Sequence, residues 1–452
     1  MMQLVLWLFA CTAAALLLRR RPAAAALLVL GIWFTVPAAG SYLLTGQDSG
    51  SLSLHAATWL IFALVGVQLI VAPSVMAGAV AAHIYVVVLL LTVLGSAVLS
   101  TIFSKVDGGT VLLTDQIVAP ALFFLFITGS SALDPQLVVR LRNGLLALGA
   151  LVCVVGLAQW LTGSVLFYED GFATRYWFNP EGTRWMGLLD QPLALSMAAC
   201  VIAPLTIRLR WAWLQVLLLV LLGAGVLVSQ SRVGVIIMIA VVLFVVLANP
   251  KPVMVRVGMA AVIGALTAWA LSSPLAEGLL ERLQDDNGSA EARGFAISTF
   301  LSDWPQFLLT GHGVNSSYQI AEEAGLGTSL ESSFLMYGVD LGIFFSLLYF
   351  GALLMLVLVS FRRTFSSGLA VAGLLAIVIP QTYSALATRS VAGILLWTVI
   401  AMVACENQRR REGTESVRVP ASERLAAWGV GTVPAVPAPQ NNQPLSTQGS
   451  SS

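Results

Sequence analysis

Arginine suits phosphate binding because its planar guanidinium offers a fixed fork of donors to two oxygens at once and stays charged at physiological pH. Four arginines of this chain, Arg184, Arg232, Arg293 and Arg389, lie beside long apolar runs. A charge buried there is costly unless it is paired or faces water. Arg232 is the sharpest of them, since Ser229-Gln230-Ser231-Arg232 interrupts two apolar stretches with almost no loop. The competing explanation is an arginine snorkelling to an interface. Two residues could move a proton beside such an anion site. Glu331 heads an apolar run in Glu331-Ser332-Ser333, and His312 sits in the turn Thr310-Gly311-His312-Gly313-Val314-Asn315. Flanking glycines let backbone approach a ligand closely, or simply return the chain to the next helix. A glutamate at a helix start is also favoured by the dipole with no chemistry at all.

The other ionisable residues are weaker candidates. Asp115 and Asp340 lie within apolar spans, each able to pair with an arginine or to stay protonated. Arg389 sits in a short turn between the last two spans, where it either joins the anion site or caps a helix end. His55 and His83 are lone histidines in apolar stretches and are expected to pack. The stretch 164–186 combines Phe167, Tyr168, Arg175, Tyr176, Trp177 and Phe178. That mixture suits stacking on sugar rings, and equally an interfacial aromatic belt.

The elements that must position these groups follow from composition. Hydrophobic residues make up 58% and charged residues 10% of the 452 positions, and the mean hydropathy is +0.89. These values specify a polytopic, all-α membrane protein. A formal charge of +1 argues against nucleic acid as a partner. Cys11, Cys153, Cys200 and Cys405 lie in apolar runs without metal-site or disulfide spacing, so no metal site is expected.

About thirteen stretches of roughly 20 residues read as spans: 2–18, 23–45, 52–72, 77–103, 110–129, 143–163, 187–207, 211–228, 233–248, 253–271, 332–360, 368–387 and 390–405. The first is read as a spanning helix, since it ends at Arg19-Arg20-Arg21 without a small-residue cleavage site and more apolar runs follow, with a cleaved signal as the alternative. Basic residues recur at every second junction, with 72–76 alone uncharged, so these junctions face the cytoplasm. The N-terminus and two long loops, 164–186 and 272–331, then lie outside. Residues 1–405 form the transmembrane domain, and 406–452 a disordered cytoplasmic tail. Within the second loop, Glu291 to Leu309 reads as an amphipathic helix bent at Pro305. Its Phe295, Phe300, Leu301 and Trp304 are suited to a membrane surface, and Arg293 to the mouth of the site.

The motif order resembles a known family. Arg184-Trp-Met-Gly187-Leu-Leu-Asp190-Gln-Pro192 comes first, then Ser231-Arg232, then Arg293 ahead of Trp304-Pro305 and Gly311-His312-Gly313. Glu331-Ser-Ser-Phe-Leu335 follows, leading into Tyr337-Gly338 and Leu341-Gly342. Over about 175–350 this is similar to the O-antigen ligase and Wzy-type polymerase superfamily; the flanking helices match only in number and hydropathy. The resemblance implies a GT-C-like bundle of about 12–13 transmembrane helices with one large periplasmic loop in a bacterial inner membrane. It implies a glycosyltransferase needing neither metal nor cofactor, acting on a glycan carried on undecaprenyl diphosphate. It also implies that Arg184, Arg232 and Arg293, with Arg389 as a fourth candidate, hold the diphosphate leaving group, which is electrostatic stabilisation of a departing anion. Arg175, Trp177, Asp190, Asn315 and Tyr318 are the substrate-contacting candidates.

The chain departs from that pattern at Glu331, where ligases of this family usually carry a histidine. A carboxylate can still deprotonate a sugar hydroxyl, so the reading shifts to a polysaccharide polymerase for exopolysaccharide or O antigen. Its partners are lipid-linked oligosaccharide, membrane lipid and, as a candidate, a chain-length regulator. A ligase delivering glycan to lipid A core or protein is the alternative within the class, and a lipid-linked oligosaccharide flippase the alternative outside it. A transporter should line a path with polar residues on both sides of the midplane, whereas here they gather at one end.

Overall fold

A computed structural model describes residues 1–104, 106–173, 178, 184–274, 289–326 and 329–418. Every regular element among them is helical, as backbone hydrogen bonding in an apolar solvent requires. The chain opens with α1 (Met2–Leu18), α2 (Pro22–Thr35), the single turn α3 (Tyr42–Thr45), α4 (Ala56–Val71), α5 (Pro73–Ala82) and α6 (Ile84–Ser104). It continues through α7 (Gly109–Leu113), α8 (Ala119–Ser131), α9 (Leu137–Thr162) and the short α10 (Glu169–Phe172). Next come α11 (Pro192–Ile202), α12 (Ala212–Val228), α13 (Arg232–Leu247) and α14 (Val253–Leu271). Beyond the second loop lie α15 (Ser289–Asp303), α16 (Ser316–Glu323), α17 (Ser333–Leu341), α18 (Ile343–Thr364), α19 (Leu369–Val378) and α20 (Ala392–Arg418).

Among the described residues each expected apolar stretch is helical over most of its length, but fewer than thirteen helices are long and apolar enough to cross a membrane unaided. Five helices meet that standard, and seven do if two bent pairs each count as one span. The bends are 90° between Pro22–Thr35 and Ala38–Thr45, and 108° between Ala56–Val71 and Pro73–Ala82. Both fall at prolines, Pro37 and Pro73, which cannot donate to the preceding turn. The stretch read as one span over 332–360 also divides. Gly342, at φ 101° and ψ 145°, separates α17 from α18, a conformation that a side chain would resist. Shorter apolar helices, among them α1, α12 and α13, complete the set.

Two compact units divide the chain at Asn407 and Gln408. In the first, the helices pack through fully buried side chains such as Trp33, Phe123, Phe124 and Trp397. Contacts also sort its ends. Arg208 donates to Ser366 Oγ, Lys251 to the Leu209 carbonyl and Gln215, and Arg363 to Asn407. These junctions form one basic end. The turns after α2, α12 and α19, and the loops that follow α6, α9 and α15, interlock at the other. The second unit is helical as far as it is described, to Arg418, so the helix continues past the expected boundary at 406; residues 419–452 lie outside the described residues.

Candidate functional site

The corner between α12 and α13 carries Arg232 and receives Arg184. Only Ser229, Gln230 and Ser231 separate these helices, so the chain reverses through a left-handed residue, Gln230 at φ 52°. Ser231 Oγ then accepts from the Gly234 amide at 3.1 Å and caps α13, as serine does at helix starts. Arg232 is therefore the first helical residue and leaves the corner half-buried. Arg184 reaches the same turn, donating from Nε to the Ser229 carbonyl at 3.2 Å, while the Trp185 amide bonds the Val228 carbonyl at 3.0 Å. Two guanidinium-bearing residues separated by 48 positions in sequence (232 minus 184) thus share one turn.

The segment after Arg184 ties this corner to the rest of the loop end. Gln159 of α9 clamps Gly187 by both its amide and its carbonyl, each at 2.9 Å. Asp190, 8% exposed, accepts from the Ala38 amide at 2.6 Å across the bend after α2. That carboxylate oxygen is engaged in fixing the bend. The Leu193 carbonyl accepts the Tyr383 hydroxyl at 3.3 Å, and Tyr383 belongs to an irregular stretch between α19 and α20.

The same stretch holds α17, the helix that Glu331 precedes. Ser333 Oγ donates to the Tyr383 carbonyl at 3.1 Å and accepts from the Leu386 amide at 3.0 Å. The Tyr337 hydroxyl donates to the Leu386 carbonyl at 3.0 Å. Glu331 is half-buried and sits at φ 53°, a conformation that costs a non-glycine residue energy and recurs at functional sites. Tyr318 lies close enough to both Glu331 and Asp340 for their charges to raise its pKa alongside the larger effect of burial. Its hydroxyl is shared with Thr388 Oγ1 at 2.8 Å, which makes it a brace on the irregular stretch.

His312 lies in a turn pinned to α17. Its amide donates to the Val339 carbonyl at 2.8 Å and the Gly313 amide to the Asp340 carbonyl at 3.0 Å. A Cβ at Gly311 would collide with that Asp340 carbonyl, and Gly313, at φ 96°, leaves no room for one beside Ser104. Both glycines are demanded by packing. The His312 ring is exposed, with its edge against Phe307 at 5.1 Å between centroids. Because it docks at the C-terminal end of α17 while Glu331 precedes the N-terminal end, the two candidate bases are separated by roughly 10 Å of helix. Asn315, at φ 80°, bonds the Asp107 carbonyl through Nδ2 at 2.9 Å and likewise fixes the loop.

Asp340 closes onto the start of α16. Fully buried, it accepts from the Ser317 amide at 2.8 Å and from Ser316 Oγ at 3.3 Å, so a carboxylate from α17 caps the start of α16. Burial pushes its carboxyl up to about 7, against those hydrogen bonds.

Arg293, on α15, is half-buried, and among the described residues its Nε makes no hydrogen bond. The α15 helix is fixed by Ala296 and by Phe300, whose ring lies against Gly338. Phe300 therefore turns inward, whereas Phe295, Leu301 and Trp304 are 49%, 60% and 44% exposed, as a membrane-facing stripe requires. Arg389 is engaged by the protein itself: its Nε donates to Asp115 Oδ2 at 2.9 Å and Nη2 to the Ser53 carbonyl at 2.6 Å. Asp115 has thus taken the arginine-pairing alternative. Tyr168 is also engaged internally, its hydroxyl on the Thr35 carbonyl at 3.0 Å and its ring over Gly40. Arg175 and Trp177 lie outside the described residues.

His55 and His83 pack as expected, His55 stacked on Trp33 at 3.6 Å and His83 edge-on to Phe124 at 5.3 Å. The four cysteines are buried thiols. No protein-family model matches the chain, and no curated protein matches it either.

Proposed function

We propose that this protein is an integral-membrane glycosyltransferase of the polysaccharide polymerase type. It joins a glycan carried on undecaprenyl diphosphate to a hydroxyl of a second lipid-linked repeat unit, on the periplasmic face of a bacterial inner membrane. The reading is supported most by one observation: Arg184 and Arg232 share the α12–α13 turn, and that turn is tied through residues 185–193 and Tyr383 to the helix that Glu331 precedes.

In this reading the diphosphate sits against the Arg184 and Arg232 guanidinium groups, which neutralise the charge that develops as the anomeric carbon–oxygen bond breaks. Arg293 approaches the same end from α15 as a third cation. Glu331 takes the proton of the attacking hydroxyl, so that a glycosidic bond forms as the diphosphate leaves, and the diphosphate departs with its charge paired. His312 is the weaker base, since its backbone is anchored at the far end of α17. The bundle is GT-C-like, and the bent pairs and short apolar helices complete about 12–13 membrane passes. The exposed stripe of α15 rests on the outer leaflet.

Conversion of a defined undecaprenyl-diphosphate repeat unit by the purified protein, with and without lipid A core, tests this directly. High-molecular-weight product on the carrier supports a polymerase. Product on the core alone would make it a ligase, and neither product would remove the transferase assignment.

A further inference from the structure

Residues 383–391 run through the loop end of the bundle without helical backbone, yet Ala385, Leu386 and Ser390 are fully buried. Irregular backbone in apolar surroundings persists only where protein groups satisfy its amides and carbonyls. Here α17 satisfies one side, through Ser333 on Tyr383 and Leu386 and through Tyr337 on Leu386. The other side is met by Asp115 and Gln116 of the span Gly109–Ser131. Asp115 receives Arg389 Nε at 2.9 Å, and Gln116 Nε2 donates to the Ser390 carbonyl at 2.9 Å.

Consecutive residues of an α-helix point about 100° apart, so adjacent side chains do not ordinarily serve one short segment. At Thr114–Val118 the helix is locally a π-turn, a one-residue insertion that recurs at functional positions. Asp115 and Gln116 both meet residues 389–390 from within it. Asp115 is held in turn by the His55 amide, 3.1 Å from both oxygens, and by Thr58 Oγ1 at 2.7 Å. A buried ion pair is weak evidence for added stability, because apolar replacement is often neutral or better; its surer consequence is a fixed geometry.

We propose that Asp115 and Gln116 are positioning residues: with Arg389 and Ser390 they form a latch that holds the unwound 383–391 segment, and through Ser333 and Tyr337 sets the placement of Glu331. This deepens the transferase reading and rests on it for its catalytic consequence, although the latch itself is a structural statement.

Two measurements separate these claims. Hydrogen exchange is followed on the full chain in detergent micelles for Asp115→Asn, which keeps the shape but replaces one acceptor oxygen by an amide donor and removes the charge that pairs Arg389, and for Gln116→Met, which removes the donor to Ser390. The latch predicts exchange across 383–391 and 332–337 at least ten-fold faster than in the parent protein, with α9 and α12 unchanged. Unchanged exchange at 383–391 in both variants overturns the latch, whatever the enzyme does. Transfer kinetics with the undecaprenyl-diphosphate repeat unit, well below the melting temperature, are then expected to show kcat lowered at least ten-fold and the donor KM within about three-fold. A raised donor KM with kcat retained would instead make Arg389 a direct diphosphate ligand and overturn the positioning role. If the parent protein forms no product, the transferase reading fails while the exchange result still decides the latch.

Discussion

Glu331 occupies a left-handed backbone conformation, at φ 53°, two residues ahead of the first residue of α17, and this allows its chemical role to be separated from its structural one. Holding a non-glycine residue there costs about 1–3 kcal/mol, whereas asparagine visits that region readily. A carboxylate near a helix N-terminus returns about 0.3–1 kcal/mol through the dipole. Glu331→Asn should therefore leave stability unchanged or raise it by up to about 1 kcal/mol. Glu331→Gln keeps the strain and loses the charge, so it should lower stability by about 0.3–1 kcal/mol. Both remove the base, and loss of a general base typically lowers rate by about 10²–10⁴-fold. The assay pairs denaturant midpoints in micelles with initial rates of polymer formation from a defined lipid-linked repeat unit. Inactive variants with stability ordered Asn above Gln support a strained base. Full activity in Glu331→Gln, or a larger stability loss in Asn than in Gln, would refute the reasoning and leave Glu331 a helix-end carboxylate.

Arg232→Ala should abolish polymer at normal protein level, and Arg232→Lys should restore only part of it, since lysine lacks the two-pronged geometry; normal chain lengths in Arg232→Ala would remove this residue from the diphosphate site. Asp340→Ala uncaps α16 and leaves the buried Ser317 amide without its acceptor, a loss of about 1–3 kcal/mol that Asp340→Asn should largely spare. With Asp340 pushed up to about 7, the native state binds its proton more tightly than the unfolded chain, so its contribution is fully present below about pH 4 and is lost as pH rises toward 7. Melting temperatures measured from about pH 5 to about pH 8 should fall less steeply in Asp340→Asn than in the parent, and equal slopes would contradict the assignment. Tyr168→Phe removes one hydrogen bond to the Thr35 carbonyl and should cost about 1 kcal/mol with transfer rates unchanged; a rate loss without a stability loss would return the ring to the sugar site.

Apolar runs made the membrane-helix class readable from sequence, and the interruption at Ser229–Arg232 put Arg232 at a helix corner; that Arg184, 48 positions earlier (232 minus 184), reaches the same corner was only what the family resemblance implied. The first two are properties of composition and of covalent spacing: a span must be apolar for its length, and a helix start within three residues of a helix end must bring its first side chain to the turn. The breaks within spans were less legible. Pro37, Pro73 and Gly342 are visible in the chain, but hydropathy summed over a window passes across a bend because the residues on both sides remain apolar.

Which polar group answers which could not be read at all. Asp115 and Arg389 are 274 positions apart, as are Gln116 and the Ser390 carbonyl, and no periodicity connects them. Sequence therefore left Arg389 between the anion site and a helix cap, and only the packing of the span Gly109–Ser131 against residues 383–391 gave it a carboxylate. Asp190, Asn315 and Tyr318 were equally ambiguous, since the atoms that would contact a sugar are the same atoms that bond Ala38, Asp107 and Thr388. Sequence determined the kinds of side chain gathered at one end of this bundle; tertiary structure decided which are held by the protein itself, because in an apolar interior every polar group must find a partner and the partner is chosen by the fold.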